Sequence, residues 1–304
     1  MRIIVNPAAA GGRVGREWPR REARLRALGV EAPAVFTEAP WHATELAQRA
    51  IEEGCETVVA MGGDGTVCEA AEGLFRAGRG RLGVLPLGTG NDAARTLGIP
   101  LGFDEAAATL LAGRTSRVDL IAVDGHLVLN AIGIGLTGDI SRRAARIKVV
   151  RGIAAYLVTA IASLFGYPAP VVRLETPDRR YEGTMTILAV HNGPSTGGGF
   201  RLTPRAVPDD GLLDACLVEG MGALRRIPRL VAGLRGTLAQ MPGSLELQAP
   251  YLELYFDEPL PCHLDGNDWS LKPPSVRFAI EPGALEVVVP GRSTCESPGT
   301  TAVE

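Results

Sequence analysis

The stretch Val58 to Ala70, "VVAMGGDGTVCEA", decides the fold because an apolar run leads directly into a glycine-rich turn. The pattern predicts a strand over Thr57 to Met61 and a helix over Val67 to Arg76. Glycine lets the main chain adopt positive φ and approach a ligand closely, so that amides can point at an anion. The positive end of the helix dipole favours negative charge at the same place. The turn is therefore typical of a phosphate-binding site at the end of a strand.

The flanking sequence repeats the alternation of strand and helix on both sides of this turn. Strands are predicted at Arg2 to Val5, Ala32 to Glu38, Thr57 to Met61 and Arg81 to Gly88, and helices at Gly15 to Leu28, Ala43 to Glu53, Val67 to Arg76 and Asp92 to Leu97. Such βαβ units indicate a mostly parallel sheet covered on both faces. The fold class is α/β, with a doubly wound N-terminal lobe.

The sequence changes character after Asp119, where β-rich segments are separated by Asp-Gly and Pro-Asp pairs. This part indicates a second, mostly antiparallel, β-sandwich-like lobe that contains helices at Ile153 to Phe165 and Leu224 to Leu238. The apolar strand Ala284 to Pro290 is expected to return to the first lobe. The resulting division is a nucleotide-binding lobe at 1–120 plus 284–290, a β-rich lobe at 121–283, and a tail at 291–304 with the composition of a disordered segment.

Composition excludes several classes of protein. The chain has 304 residues, of which 46% are hydrophobic and 21% charged, with a net charge of −3, which does not suit a nucleic-acid binder. Its five cysteines are scattered without CxxC spacing, so neither a disulfide framework nor a zinc site is expected, and a reducing cytoplasm fits best. The longest apolar stretch, Ile153 to Phe165, is shorter than the roughly 20 residues of a membrane-spanning helix.

Three glycine-rich bends follow predicted strands of the first lobe: "NPAAAGG" from Asn6, "GGDGT" from Gly62 and "PLGTGND" from Pro86. Because the carboxyl ends of parallel strands meet at one edge, the bends should converge on a single crevice. Asp64 and Asp92 would repel phosphate unless a divalent cation lies beside them, which suggests a magnesium-nucleotide complex. A tight turn without a ligand is the alternative for "GDG" taken alone.

Other phosphate-binding motifs are excluded. Lysine occurs only at Lys148 and Lys272, so a GxxxxGK[ST] loop cannot form in the first lobe. No dinucleotide-binding GxGxxG follows the first strand, and the HRD and DFG motifs of protein kinases do not occur.

The chain resembles the diacylglycerol kinase catalytic-domain family, which includes bacterial lipid kinases and sphingosine and ceramide kinases. The motifs that carry this resemblance occur in the family's order over Arg2 to about Pro290: "NPAAAGG", "TEAPWHATELA", "GGDGTVCEAAEGL", "LGVLPLGTGNDAARTLGIP", "DDGLLDACLV" and "LDGND". "GGDGT" is shared with NAD kinases and phosphofructokinases, whereas "PLGTGNDAAR" is typical of the lipid-kinase branch.

The resemblance implies ATP bound by the first lobe, a lipid substrate in the cleft between the lobes, and Mg²⁺. The positions implied for nucleotide binding are Asn6, Pro7, Ala8, Ala9, Ala10, Thr37, Gly62, Gly63, Asp64, Gly65, Thr66, Val67, Gly88, Thr89 and Asn91. Asp64 and Asp92 would organise magnesium and water. The family's structural magnesium position falls on Asp210, with the carbonyls of Val207 and Leu212; a plain hairpin turn is the alternative there.

The family's catalytic stretch usually ends in Asp-Gly-Glu, but here it is Asp265-Gly266-Asn267-Asp268. Asparagine cannot accept a proton as a general base. Three interpretations stay open: Asp265 acts as the base alone, Asp268 reaches in, or the enzyme is weak or inactive on lipids. The stretch also suits a tight turn between strands.

The function that the resemblance implies is phosphoryl transfer from ATP to a diacylglycerol-like or other long-chain alcohol, in lipid metabolism such as phospholipid biosynthesis. The protein would then lie in the cytoplasm, in peripheral contact with the inner face of the membrane, without nucleic-acid partners. Ile153 to Phe165, preceded by basic residues, is one candidate for the contact, and a buried core helix is the alternative. A kinase of a soluble metabolite, as in NAD kinase, and a nucleotide-binding regulator are the competing functions; the oligomeric state, a homodimer included, is left open.

Overall fold

The computed structural model describes residues 1–146 and 163–291. Its first lobe contains the predicted parallel sheet, in the order β2-β1-β3-β4. The strands are β1 (Arg2–Val5), β2 (Ala34–Phe36), β3 (Thr57–Gly62) and β4 (Arg81–Pro86). Every residue of β3 is buried, as expected of a central strand with helices on both faces.

Helices connect these strands. They are α1 (Ala9–Ala27), α2 (His42–Glu52), α3 (Asp64–Ala77), α4 (Asp92–Thr96) and α5 (Phe103–Ala112). Three begin earlier than the sequence predicts. Helix α3 starts at Asp64 instead of Val67, α1 at Ala9 instead of Gly15, and α2 one residue early, at His42 instead of Ala43. The early part of α1 is kinked, because Ala10, Gly11 and Gly12 have φ of 50°, 68° and 81°. Glycine tolerates these angles, which hides the helix from a sequence pattern.

The second lobe is mostly antiparallel. Its strands are β5 (Thr115–Val123), β6 (His126–Val128), β7 (Ala131–Gly135), β8 (Val171–Glu175), β9 (Arg180–His191), β10 (Leu213–Glu219), β11 (Ser244–Ala249), β12 (Tyr251–Phe256), β13 (Leu260–Leu264), β14 (Asn267–Leu271) and β15 (Ser275–Val288). Helices α6 (Leu136–Arg146) and α7 (Ala223–Arg235) accompany them in the described residues, where 163–166 are also helical. Helix α7 is followed by a 3-10 turn at Leu238–Gln240. β9 joins the two layers, since its first half pairs with β8 and its second half with β7 and β10. The α/β fold class with a β-sandwich-like second lobe is confirmed.

The long strand β15 ties the lobes together. It pairs in antiparallel fashion with β12 and β5, and its end pairs in parallel with β4, Glu286 opposite Arg81 and Val287 opposite Leu82. The apolar segment from Ala284 thus extends the sheet of the first lobe. Each lobe has its own buried core, the first around Ile4, Met61 and Leu85 and the second around Phe278 and Leu254.

Some sequence predictions lie outside the described residues. These are the part of the helix Ile153 to Phe165 that precedes Ser163, and the tail from 292 onward, which includes Cys295. The four described cysteines, Cys55, Cys68, Cys216 and Cys262, are free thiols. Within residues 1–146 and 163–291, every helix is too short or too polar to span a bilayer.

Candidate active site

The three glycine-rich bends of the first lobe adjoin one another. A Cβ added to Gly88 would lie 2.4 Å from the Cα of Gly63, so these two bends touch through bare main chain. The amide of Leu87 donates to the carbonyl of Gly62 at 2.8 Å. Asn6, in the first bend, donates from Nδ2 to Oγ1 of Thr66 at 2.9 Å. The convergence expected from the strand order is therefore present in the structure.

Donors for an anion come from the start of α3. Because this helix begins at Asp64, the amides of its first turn have no acceptor within the helix. Val67 differs: its side chain is buried in the core, and its amide donates to the carbonyl of Gly63 at 3.1 Å. The amides of Gly65 and Thr66, at the start of α3, can therefore donate to an anion, whereas the amide of Val67 is used within the helix.

In the two neighbouring bends, the asparagine side chains bond main-chain atoms of their own turns and so fix the conformation of each bend. Asn91 has φ of 56° and closes its own turn, accepting from the Gly88 amide at 2.8 Å and donating to the Gly88 carbonyl at 3.2 Å. Asn6 similarly accepts the amide of Ala8 at 3.0 Å. Thr89 is exposed at its bend, and Thr37 is buried directly after β2. Pro7, Ala9 and Ala10 form the kinked entry to α1.

Asp64 and Asp92 face each other across Gly90. A Cβ on Gly90 would lie 2.7 Å from Oδ2 of Asp64 and 3.2 Å from Oδ2 of Asp92, so the missing side chain leaves a small cradle between two carboxylates. Oδ1 of Asp64 accepts the amide of Ala93 at 2.8 Å. Burial raises the pKa of Asp64 to about 6, and the charge of Asp92 adds to this rise.

This cradle suits a hard divalent cation. Carboxylate oxygens are the ligands that Mg²⁺ prefers, and a cation would relieve the repulsion between the two aspartates. Among the described residues no cluster of three or more His, Cys, Asp or Glu side chains forms a complete metal site by itself. The remaining ligands would have to come from phosphate and water, as is usual for magnesium with a nucleotide.

Asp92 is also held from the second lobe. Its Oδ2 accepts the amide of Gly198 at 2.6 Å, and its Oδ1 accepts from Oγ of Ser195 at 3.2 Å and pairs with Arg95 at 3.0 Å. The glycine-rich loop at 191–200 is therefore part of the site, and its Ser195 and Thr196 are buried.

Asp265 lies at the turn of the β13–β14 hairpin, with φ of 45° before Gly266 at 88°, so the tight turn suggested by the sequence is real. Its carboxylate is buried. Oδ2 accepts the amides of Leu129 and Asn130 at 2.9 and 3.1 Å, and Oδ1 accepts that of Ala131 at 2.7 Å. Burial raises the pKa of Asp265 to about 7, although the hydrogen bonds from these amides lower it. The charge of Asp64 contributes to the rise. Asp265 and Asp64 are thus electrostatic neighbours.

Asn267 and Asp268 point to different surroundings, because neighbouring side chains of a strand lie on opposite faces. Asn267 contacts the nucleotide bend: a Cβ on Gly65 would lie 2.5 Å from its Oδ1. Its Nδ2 donates to Oε1 of Glu69 at 3.4 Å. Asp268 instead is half-exposed and pairs with Arg142 of α6 at 3.3 Å. The structure therefore brings Asn267, and not Asp268, to the bend.

The second candidate metal position is the loop of Asp210, which precedes β10. Oδ1 of Asp210 accepts the amide of Leu212 at 3.0 Å and its Oδ2 accepts from Gln248 at 3.1 Å, while Val207 is exposed. The nearby Asp214 has a buried Oδ2 without a hydrogen-bond partner in the described part of the chain, and burial raises its pKa to about 6. The unpaired Oδ2 of Asp214, close to Asp210, fits a cation bound at this loop. The hydrogen bond from Leu212 to Asp210 also fits the plain turn that the sequence allowed as the alternative.

Comparison with known proteins agrees with this geometry. Residues 1–123 match the family described as the diacylglycerol kinase catalytic domain, and residues 130–289 match the YegS C-terminal NAD kinase beta sandwich-like domain. The chain belongs to this lipid kinase family. A Pseudomonas aeruginosa protein named "Probable lipid kinase YegS-like" is 37% identical over 292 residues, covering 93% of both chains. One of the same name from Stenotrophomonas maltophilia is 31% identical, covering 95% of this chain and 96% of its own.

A solved structure has the same fold over nearly the whole chain. It is titled "Crystal structure of a putative diacylglycerol kinase from Bacillus anthracis str. Sterne" and superposes with a TM-score of 0.77 at 26% identity, over 95% of this chain and 96% of its own. Membership of a lipid kinase family implies kinase chemistry with ATP for this protein.

The protein also contains an apolar cavity that the sequence did not predict. Its walls come from α6, α7, the strands of the second lobe and the 191–200 loop. The lining side chains include Leu136, Ile140, Leu164, Phe200, Leu202 and Leu230, with Thr196 and His263 among the polar ones. Apolar residues from separate parts of the chain form it, so no local pattern marks it.

Two further residues of the site were missed. His263 is buried, with an Nδ1 that has no partner among the described residues, and burial lowers its pKa to about 4, so the ring is neutral. Glu69, one helical turn after "GGDGT", accepts the amide of Ala43 at 3.2 Å, and burial raises its pKa. An isolated histidine and a helical glutamate give no signal in sequence, because only the fold brings them to the cleft.

Proposed function

We propose that this protein transfers the γ-phosphate of ATP, with Mg²⁺, to the hydroxyl of a diacylglycerol-like or other long-chain lipid alcohol. One relationship supports this most strongly: Thr196 lines the apolar cavity, while its neighbours Ser195 and Gly198 hold Asp92. A lipid chain in that cavity would end beside the carboxylates that face the nucleotide bends.

The nucleotide end of the site relies on main chain. Phosphoryl transfer needs an in-line geometry and cancellation of phosphate charge more than covalent help from the protein. The amides at the start of α3 and the helix dipole meet part of that need. Magnesium, held by Asp64 and Asp92 when bound, would neutralise the phosphate oxygens. The close contact of Gly63 with Gly88 keeps the bends rigid around the phosphates.

Among the carboxylates, Asp265 is the best candidate for the general base. Its pKa of about 7 lies in the range where a base is both deprotonated and able to take a proton at neutral pH. Oδ1 accepts one main-chain amide where Oδ2 accepts two, so Oδ1 is the better placed to receive the proton of the lipid hydroxyl. Asp268 does not fit this role, because it faces Arg142 on the exposed side of the hairpin.

The test is phosphorylation with magnesium and γ-labelled ATP. Diacylglycerol, monoacylglycerol and ceramide are supplied in mixed micelles, NAD is supplied in parallel, and organic and aqueous products are separated by thin-layer chromatography. We expect label in a lipid product and none with Asp64→Asn. Label only in the aqueous phase would support the NAD kinase-like alternative. Binding of magnesium-ATP without transfer to any acceptor would support a regulator.

A further inference from the structure

Helix α7 carries an apolar stripe on its outer face. Leu224, Ile227, Val231 and Leu234 are 76%, 44%, 43% and 52% exposed. Their spacing of three, four and three residues places them along one side of the helix. A contiguous row of exposed large apolar side chains is uncommon on a monomeric protein and marks a contact surface.

The same helix is strongly basic. Its sequence, "ALRRIPRLVAGLR", holds four arginines and no acidic residue. Arg225 and Arg235 are exposed, and neither forms an ion pair with a carboxylate in the described ranges. An apolar stripe on a helix with unpaired cationic groups suits an interface with anionic lipid headgroups, since the chains enter the acyl boundary while the guanidinium groups stay among the phosphates.

The inner face of α7 borders the apolar cavity. Arg226, Arg229, Leu230 and Gly233 line it. At the start of the helix, Leu224 shares a surface pocket with Phe165, which is 60% exposed. One helix therefore presents apolar side chains outward to solvent and inward to the cavity proposed to hold the lipid chain.

We propose that α7 is the membrane-docking element of this protein: it lies flat in the headgroup region of a bilayer that contains anionic lipids, with Leu224, Ile227, Val231 and Leu234 inserted. This inference rests on the proposed function in one respect, that the acceptor is drawn from that bilayer into the adjoining cavity. It assigns the contact to α7 and not to the segment Ile153 to Phe165.

The test compares binding to sedimented vesicles of phosphatidylcholine alone and of phosphatidylcholine with phosphatidylglycerol. We expect binding to the anionic vesicles and a decrease of at least about tenfold for the double variant Ile227→Glu/Leu234→Glu. Arg225→Gln/Arg235→Gln should weaken binding to anionic vesicles only. Matched controls are Leu111→Glu, at a leucine 51% exposed on α5 of the first lobe, and Arg49→Gln, at an exposed arginine of α2. Equal loss in these controls, or no vesicle binding by the parent protein, overturns the proposal.

A second measurement separates docking from kinase function. A short-chain diacylglycerol dispersed in water should be phosphorylated equally by the parent and by Ile227→Glu/Leu234→Glu, whereas long-chain substrate in vesicles should be phosphorylated only by the parent. Equal rates on vesicles with an active enzyme would refute docking through α7 and leave the proposed function intact. If no lipid is phosphorylated, vesicle binding still tests the surface.

Other occupants of the stripe are distinguished by a polarity-sensitive fluorophore. It is attached at Leu234→Cys in a protein in which Cys55 and Cys295 are replaced by serine. Emission should shift to the blue only when anionic vesicles are added. A blue-shifted emission without vesicles that is independent of protein concentration would mean that another part of the same chain covers the helix. A blue shift that grows with concentration would indicate a second copy. Either result overturns the proposal.

Discussion

Oδ1 of Asn267 lies against Gly65, so close that a Cβ on Gly65 would be 2.5 Å away. The contact joins a hairpin of the second lobe to the nucleotide bend of the first. Because Asn267 also donates to Glu69, it contacts two successive turns on one face of α3. Asn267, which replaces the glutamate of the family's Asp-Gly-Glu pattern, therefore packs against the nucleotide bend.

Gly65→Ala tests whether this contact sets the shape of the bend. The new methyl group must displace the Asn267 amide, so we expect a loss of about 1 to 3 kcal/mol in the free energy of unfolding and weaker binding of magnesium-ATP. In an Asn267→Ala background the methyl group has room, and the effect of Gly65→Ala should shrink. A double-mutant cycle by urea unfolding and calorimetry measures the coupling. Additive effects would show that the two residues act independently.

Gly88→Ala tests the touching main chains of two bends. Its Cβ would meet the Cα of Gly63 at 2.4 Å, and neither backbone segment can rotate away as a side chain could. We expect at least about tenfold weaker nucleotide binding, since the bends must separate to admit the methyl group. Gly222→Ala is the matched control, because a Cβ there meets nothing within 4 Å and φ is −65°. Similar ATP affinities for the two variants would contradict a close fit of the bends.

Asp64→Asn should separate stability from function. Burial raises the folded pKa of Asp64 to about 6 from 3.8, so the carboxyl favours folding when protonated, and this contribution is lost as pH rises from about 4 through 6. We expect the variant to be about 1 to 3 kcal/mol more stable than the parent at pH 8, equal to it at pH 4, and inactive. Urea unfolding at both pH values measures this, with Asp178→Asn at an exposed turn as the control.

Magnesium adds a second readout for the same variant. A cation between Asp64 and Asp92 would neutralise the buried charge, so magnesium should stabilise the parent at pH 8 and have little effect on Asp64→Asn. Equal stabilisation of the two proteins would remove Asp64 from the metal site.

The first lobe was predictable from sequence because its signals are local. Each of these signals, such as strand β3 or a glycine bend, occupies a few consecutive residues. Because the strands are parallel, their carboxyl ends meet at one edge of the sheet, and the bends must therefore adjoin one another. Helix α1 shows the limit, since Ala10 to Gly12 follow a left-handed path that no periodicity reveals. Ser195 contacts Asp92 across a separation of 103 residues in the sequence. Asn267 contacts Gly65 across the interface between the two lobes. Such contacts depend on the packing of the second lobe, whose antiparallel strands could be ordered in several ways from sequence alone.

Asp265 and Asp268 provide the sharpest test of the mechanism, because they lie three residues apart in one hairpin and face different surroundings. As general base, Asp265 must be deprotonated, so kcat should rise with pH through about 7 and level off above it. Asp265→Asn should lower kcat by about 10² to 10⁴, with a smaller change in the KM for ATP. Asp268→Asn removes only a half-exposed ion pair with Arg142 and should leave kcat and its pH profile unchanged. If Asp268→Asn lost activity to the same extent, or if the rate were flat between pH 6 and 8, the base would have to be sought elsewhere. Circular dichroism and thermal unfolding of both variants accompany the kinetics, since Asp265 also holds the amides of Leu129 to Ala131 and its replacement loosens that segment.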